Sequence, residues 1–256
     1  GEEVAAFTGE ELDWTASDAL KRLGQRLEPI VGQPRFRQRL LLQGRVLQDA
    51  EEVNLPVTLQ LVVVGFVEPS DEGVLELDDA CRTDNVAVVE ACLIRPQNPN
   101  LTADRLGRTP LCLAAIRSSF RCVRLLKEAR AEQDKPDSNG QTPLFHAVQN
   151  GHVHMVRLLV ELGADMDKLD GKGLTPVSYA VKCCQTDMVR LLAELGADVN
   201  KVNGRGWTPF THAVLCGKLD MVRLLAEPGA VMDKFDGCRW NPFMHAVAGG
   251  KLEMVR

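Results

Sequence analysis

The chain has 256 residues, 45% of them hydrophobic and 25% charged, with a net charge of -5. That length accommodates about two domains, and the mild acidic balance argues against a dedicated nucleic-acid binder, which would carry a basic excess. The longest apolar stretch, Leu59 to Val67, is interrupted by Gln60 and too short to cross a bilayer as a helix, so no transmembrane segment is expected.

In chain order, residues 1–66 come first. Ala16 to Leu27 reads as a helix capped by Thr15 or Ser17, with Leu20, Leu23 and Leu27 on one face, and Gly32-Gln33-Pro34 breaks it. Arg39 to Leu42 and Val46-Leu47 read as short strands joined by Gln43-Gly44, and Val57 to Val64 as a longer one. The run GQPRFRQRLLLQGRVLQD, Gly32 to Asp49, resembles the stretch that follows the helix of ubiquitin, with Pro34, Gln38, Arg39, Leu40, Gly44 and Leu47 in matching places. The resemblance implies a small α+β (β-grasp) domain whose first strand precedes Gly1. It also implies that Leu41 and Val62 occupy two positions of a hydrophobic recognition patch. After the last strand the chain runs on through Gly65-Phe66-Val67-Glu68-Pro69 without a Gly-Gly tail, so a fused module is expected, not a conjugated one. Arg35, Arg37, Arg39 and Arg45 read as a solvated basic face.

Residues 67–73, with Pro69, Ser70 and Gly73, have linker composition, and their shortness predicts a preferred orientation of what they join. From 74 to 256 the chain is periodic. Thr-Pro recurs at Thr109, Thr142, Thr175 and Thr208, always 33 residues apart, and Asn241-Pro242 falls on the next beat. In each unit Thr suits an N-cap and Pro the first helical position. Leu144, Ala147 and Val148 then give one apolar helix face and Val153, Val156, Leu159 and Val160 a second, separated by Gly151. Two helices this short cannot bury their faces alone, so the units must stack into a solenoid. The segment from Asn139 to Asp167 resembles an ankyrin repeat, and the pattern covers about two thirds of the chain, as about five repeats and a truncated sixth. The first unit, lacking Thr-Pro, reads as an N-terminal cap. Because Met254-Val255-Arg256 stops inside a second helix, the array is expected to continue.

The resemblance implies a non-catalytic scaffold or adaptor that holds a protein partner on its hairpin tips and the exposed side of each first helix. Residues before each Thr change from Arg108 and Gln141 to Leu174, Trp207 and Trp240, so the second half turns apolar. Leu174, Trp207, Leu215, Phe235 and Trp240 are the candidate protein-binding residues, since exposed aromatics are enriched at binding hot spots. Packing of these rings against neighbouring hairpins is the competing reading. Two versions of the binding function stay open: a ubiquitin-pathway adaptor that recruits clients, or a permanent subunit of a larger assembly.

An enzyme is the competing class. No nucleophile elbow, phosphate-cradling glycine loop, metal-ligand set or registered acid pair is present, so no catalytic residue, metal or cofactor is expected. His146, His212 and His245, joined by Tyr179, form a column read as buried hydrogen bonding. Arg124, Arg157, Arg190 and Arg223 each precede a glutamate by four residues, the spacing of a pair within one helix. Vicinal Cys183-Cys184 raises a thiol-redox alternative, although Cys184 stands at the turn position of Gly151. The eight cysteines contain no C-x-x-C and read as free thiols of a reducing compartment, cytoplasmic or nuclear, or an organelle interior if a targeting peptide has been removed.

Overall fold

A computed structural model describes residues 19–31, 35, 38–42, 45–46, 60–63, 71–95, 98–102, 104–227 and 229–254. The N-terminal unit begins with α1, Ala19–Val31, in which Leu23 and Leu27, one turn apart, are buried. The helix outruns the expected end at Leu27 by one turn and carries Pro29 inside it. Three strands follow: β1 Gln38–Leu42, β2 Arg45–Val46 and β3 Gln60–Val63. They form an antiparallel sheet in the order β2-β1-β3, with Leu41 opposite Val46 and Gln60, and Val62 opposite Arg39.

The solenoid starts at α2, Asp71–Thr83, so the last three residues of the stretch read as linker form a helical turn instead. Its partner is α3, Val86–Ile94. Four helix pairs then repeat the same design: α4 Pro110–Arg117 with α5 Phe120–Glu128, α6 Pro143–Gln149 with α7 Val153–Glu161, α8 Pro176–Lys182 with α9 Thr186–Glu194, and α10 Pro209–Cys216 with α11 Leu219–Ala226. A last first-type helix, α12 Pro242–Ala248, leads to a 3-10 turn at Leu252–Met254.

Each of α4, α6, α8 and α10 starts as the Thr-Pro pairs predict. The Thr109, Thr142, Thr175 and Thr208 hydroxyls accept from the amides of Cys112, Phe145, Ser178 and Thr211, and Pro fills the first position. Asn241 caps α12 in the same way through Met244. The first-type helices stack on one another, α2 to α4 and on to α12, and each packs on its own second helix. Leu144, Phe145, Ala147, Val148, Val156 and Leu159 are completely buried between them. A continuous core therefore runs through the array, made of faces that no single pair could cover.

Backbone bonds also join the hairpins that precede the first helices. The Ser138 amide donates to the Leu106 carbonyl at 2.9 Å, Gly171 to Asn139 at 2.7 Å and Gly204 to Gly173 at 2.8 Å. Gly140 has φ +74°, and a Cβ there would stand 2.5 Å from the Gly171 nitrogen, so approach this close requires a glycine.

The N-terminal unit is clasped to the first two repeats. Arg35, whose side chain is 8% exposed, reaches Glu128 of α5 at 2.5 Å and Glu90 of α3 at 2.9 Å. Gln25 donates to Glu128 at 2.7 Å, and Arg130 pairs with Glu28 at 3.7 Å. Arg35 was expected on a solvated face. It is covered instead because two glutamates from separate helices converge on it.

Candidate functional site

One side-chain acceptor organises each hairpin. Oδ1 of Asp137 accepts from the amides of Asn139 and Gln141, Asp170 from Lys172 and Leu174, Asn203 from Arg205 and Trp207, and Asp236 from Cys238 and Trp240, all at 2.8–3.0 Å. The loop therefore closes on its own Asp or Asn. Where Asp is present, its second oxygen is free for the following helix: His146 Nε2 lies 3.1 Å from Asp137 and His245 Nε2 2.8 Å from Asp236. The histidine column is thus a set of hairpin-to-helix ties. The signal is legible as Asp and His nine residues apart, Asp137/His146 and Asp236/His245. Asn203 breaks it, and His212 carries a buried Nδ1 with no hydrogen-bond partner.

Burial pushes the His146 imidazole below its ordinary value, with Asp137 opposing. Burial does the same to His212, helped by Lys182 and Arg205 and opposed by the Ser178 backbone. The Asp236 carboxyl falls to about 2, held there first by the Trp240 amide and further by His245, the Cys238 amide and Trp207, against its burial.

The aromatic residues surround this Asp236. Trp207 donates its indole N–H to Asp236 at 3.1 Å, across to the next hairpin. Its ring lies 6.1 Å from His212 and 6.3 Å from His245, and the Arg205 guanidinium sits 5.1 Å above it. Trp240 packs on His245 at 5.2 Å yet remains 41% exposed, and Phe235 is 58% exposed. Trp207 is thus half-buried against the neighbouring hairpin, while Trp240 and Phe235 face solvent.

Of the remaining candidates, Leu215 is half-buried on α10. Leu174 is only 9% exposed. Its side chain is covered in the hairpin stack and is not part of the open surface, although Trp240, at the same place in a loop closed in the same way, is exposed. Leu41 and Val62 lie far from this cluster in sequence, in β1 and β3, at register positions that share one face of the sheet. The residues that sequence reasoning passed over are Arg205 and Arg239 beside the tryptophans, and the buried Asp236 beneath them.

The polar half of the same surface is different. A pocket of about 250 Å³ opens between the first and second hairpins and α6, lined by Arg108, Asp137, Gln141, His146 and Gln149 among others. Arg108 is turned toward Asp104, at 2.9 Å, and the Arg108 side chain and amide hold that carboxyl at about 2 against burial.

The arginine column differs from expectation. Arg157 pairs with Glu194 at 3.7 Å and Arg190 with Glu227 at 4.0 Å, so these bridges cross to the next repeat, while Glu128 meets Arg35. The arginines cross because stacking brings the next second helix within reach.

Burial raises the Cys92 and Cys112 thiols to about 11 and Cys122 to about 12, and lifts Cys81 as well, so they are poor nucleophiles. Cys183 and Cys184 are exposed, and Cys184 takes φ 59° at a turn where three other repeats use Gly151, Gly217 and Gly250 and the first two use Asp84 and Ser118. Among the described residues, no group of three or more His, Cys, Asp or Glu side chains is placed to hold a metal ion. Among them, too, no helix is long and apolar enough to cross a membrane.

Comparison with known proteins places this geometry. A family model described as ankyrin repeats (3 copies) matches residues 77–170 and 162–236. The crystal structure of the ankyrin repeat domain of Bcl-3, described as a unique member of the IkappaB protein family, is 31% identical with a TM-score of 0.63, covering 66% of this chain and 76% of that one. An ankyrin repeat domain from Acinetobacter baumannii AYE is 27% identical with a TM-score of 0.61, covering 70% of this chain and 93% of that one. A search of curated proteins finds no match. Domains of this kind are protein–protein interaction modules, and the chain belongs to the ankyrin-repeat family.

Proposed function

We propose that the chain is a non-catalytic adaptor that grips a protein partner on the hairpins of its later repeats. The observation that carries this reading is the pair Trp240 and Phe235, 41% and 58% exposed on a hairpin whose backbone is fixed by Asp236. Large apolar groups held rigidly in water lose little conformational freedom on binding, which suits them as anchors. Copurification from cells with the full chain, followed by mass spectrometry, tests it. Phe235→Ala with Trp240→Ala removes the partner at an unchanged melting temperature; an unchanged set of copurifying proteins would refute the reading.

The N-terminal unit is read as ubiquitin-like and as a second docking surface, through Leu41 and Val62. The helix followed by short antiparallel strands, the element order on which the resemblance rests, supports this reading. On this reading the protein links its client to the ubiquitin pathway. Retention on immobilised ubiquitin receptors, lost in Leu41→Ala with Val62→Ala, separates this from a permanent assembly subunit, for which copurification at constant stoichiometry is expected. Eight free thiols suit a reducing compartment, cytoplasmic or nuclear.

A further inference from the structure

The later hairpins carry a charge that contrasts with the chain as a whole. In a protein of net charge -5, residues 168–174, 201–207 and 234–240 hold Lys168, Lys172, Lys201, Arg205, Lys234 and Arg239, against Asp170 and Asp236 alone. Both acids are turned inward. Asp170 is 7% exposed, the Asp236 side chain is 3% exposed, and each is occupied by amides of its own loop. The middle hairpin has Asn203 in their place and no acid at all.

Among the described residues, Lys172, Arg205 and Arg239 form no ion pair with a carboxylate, whereas Lys201 lies near Asp167. Lys168 and Lys234 donate to the backbone carbonyls of Asp134 and Asn200, at 2.9 and 3.2 Å, which satisfies a donor and leaves the charge. Lys172 and Arg239 are exposed at tips two repeats apart, with the exposed Arg205 on the tip between them stacked on Trp207. A positive row thus runs beside the exposed rings of Trp240 and Phe235, and its field favours an anionic partner.

We infer that this surface takes an extended acidic peptide segment, with carboxylates against Lys172, Arg205 and Arg239 and an apolar side chain against Trp240 and Phe235. The inference rests on the protein-binding reading above and narrows the partner. Spacing supports an extended partner. Packed neighbouring helices lie about 8–10 Å apart, so successive tips recur at about that distance. A polyproline-type chain returns to the same face every third residue after about 9.3 Å. Acids at every third position keep pace with the tips. Individually, exposed pairs contribute little, so the row acts through its summed field and through the aromatic anchor beside it.

The test is selection from a phage-displayed library of random dodecapeptides on the immobilised full chain, with the selected peptides then measured by fluorescence polarisation. Enrichment of peptides with Asp or Glu at every third position around an aromatic or aliphatic residue is expected. Their affinity falls about tenfold or more in the triple variant Lys172→Glu, Arg205→Glu, Arg239→Glu, and also on raising salt. Enrichment of neutral or basic sequences, no enrichment, or unchanged affinity in the triple variant overturns the inference. So does an oligothymidylate that binds as tightly as the peptides and with the same dependence on Arg205. Neutral peptides that nevertheless require Trp240 sink the acidic class alone and leave the protein-binding reading intact.

Discussion

The Trp207 indole N–H donates to the Asp236 carboxylate of the following hairpin at 3.1 Å, the same oxygen that receives His245 at 2.8 Å. One oxygen therefore fixes two rings from adjacent repeats, and a third ring, Trp240, lies on the histidine. Asp236→Asn would turn an amide donor toward two N–H groups or leave the loop amides without their acceptor. Red-shifted tryptophan emission and faster hydrogen exchange in residues 234–240 are expected, with the first four repeats unchanged. Wild-type emission in this variant would show that the carboxylate does not organise the cluster.

Stability should depend on pH through two buried histidines. The folded pKa of both His146 and His212 is lowered from 6.5, so the unfolded chain binds protons more readily. Their contribution is complete above about pH 6.5 and is lost as pH falls from there through the lowered folded values. Denaturant midpoints measured from pH 8 to pH 5 should decline, and His212→Gln should flatten part of the slope. A second loss is expected as pH falls below 3.8 toward about 2, where the Asp104 and Asp236 carboxyls, both held at about 2, become protonated. Midpoints that rise on acidification to pH 5 would contradict the burial argument.

Two backbone positions predict opposite signs. Gly140→Ala combines φ +74° with a Cβ 2.5 Å from the backbone of the next hairpin, so a loss above about 2 kcal/mol is expected. Cys184→Gly relieves a left-handed residue at φ 59° and should gain about 1 kcal/mol. Thermal unfolding of both variants checks the pair, and a stabilising Gly140→Ala would refute the close-approach account.

Arg35→Ala removes the cation shared by Glu90 and Glu128. Charge-assisted bonds of this kind contribute about 1.5–3 kcal/mol each when protected, but the partial exposure of both glutamates lowers the expected cost to about 1–2 kcal/mol. Small-angle scattering should show a broader distribution of distances between the N-terminal unit and the repeats. An unchanged distribution would mean that the other contacts suffice.

Periodicity made most of the solenoid legible. Thr142, Pro143, Leu144 and Val156 each obey a local rule of capping or apolar spacing, and the structure places them as those rules require. Contacts between units followed no local rule. Arg157 was paired within its own helix by spacing, yet stacking offers it Glu194, 37 residues on. Arg35 appeared solvated for the same reason, since Glu90 and Glu128 converge on it only once the array has formed. At the candidate site the drift toward Trp207 and Trp240 was readable from the repeat register. The burial of Leu174 and the shared oxygen of Asp236 were not, because both depend on how neighbouring hairpins stack.

The backbone bonds between hairpins join residues 106 and 138, 139 and 171, and 173 and 204, while among the described residues none links Gly206 to Gly237. The tips are joined by backbone up to the fourth hairpin, whereas the fourth and fifth are tied through side chains, Trp207 to Asp236 and Lys234 to the Asn200 carbonyl, so the link there is softer and Trp207 and Trp240 sit on either side of it. A partner lying across both rings would splint it. Occupancy of the surface and rigidity of the far end of the array should therefore rise together, which makes that link a mechanical reporter of binding.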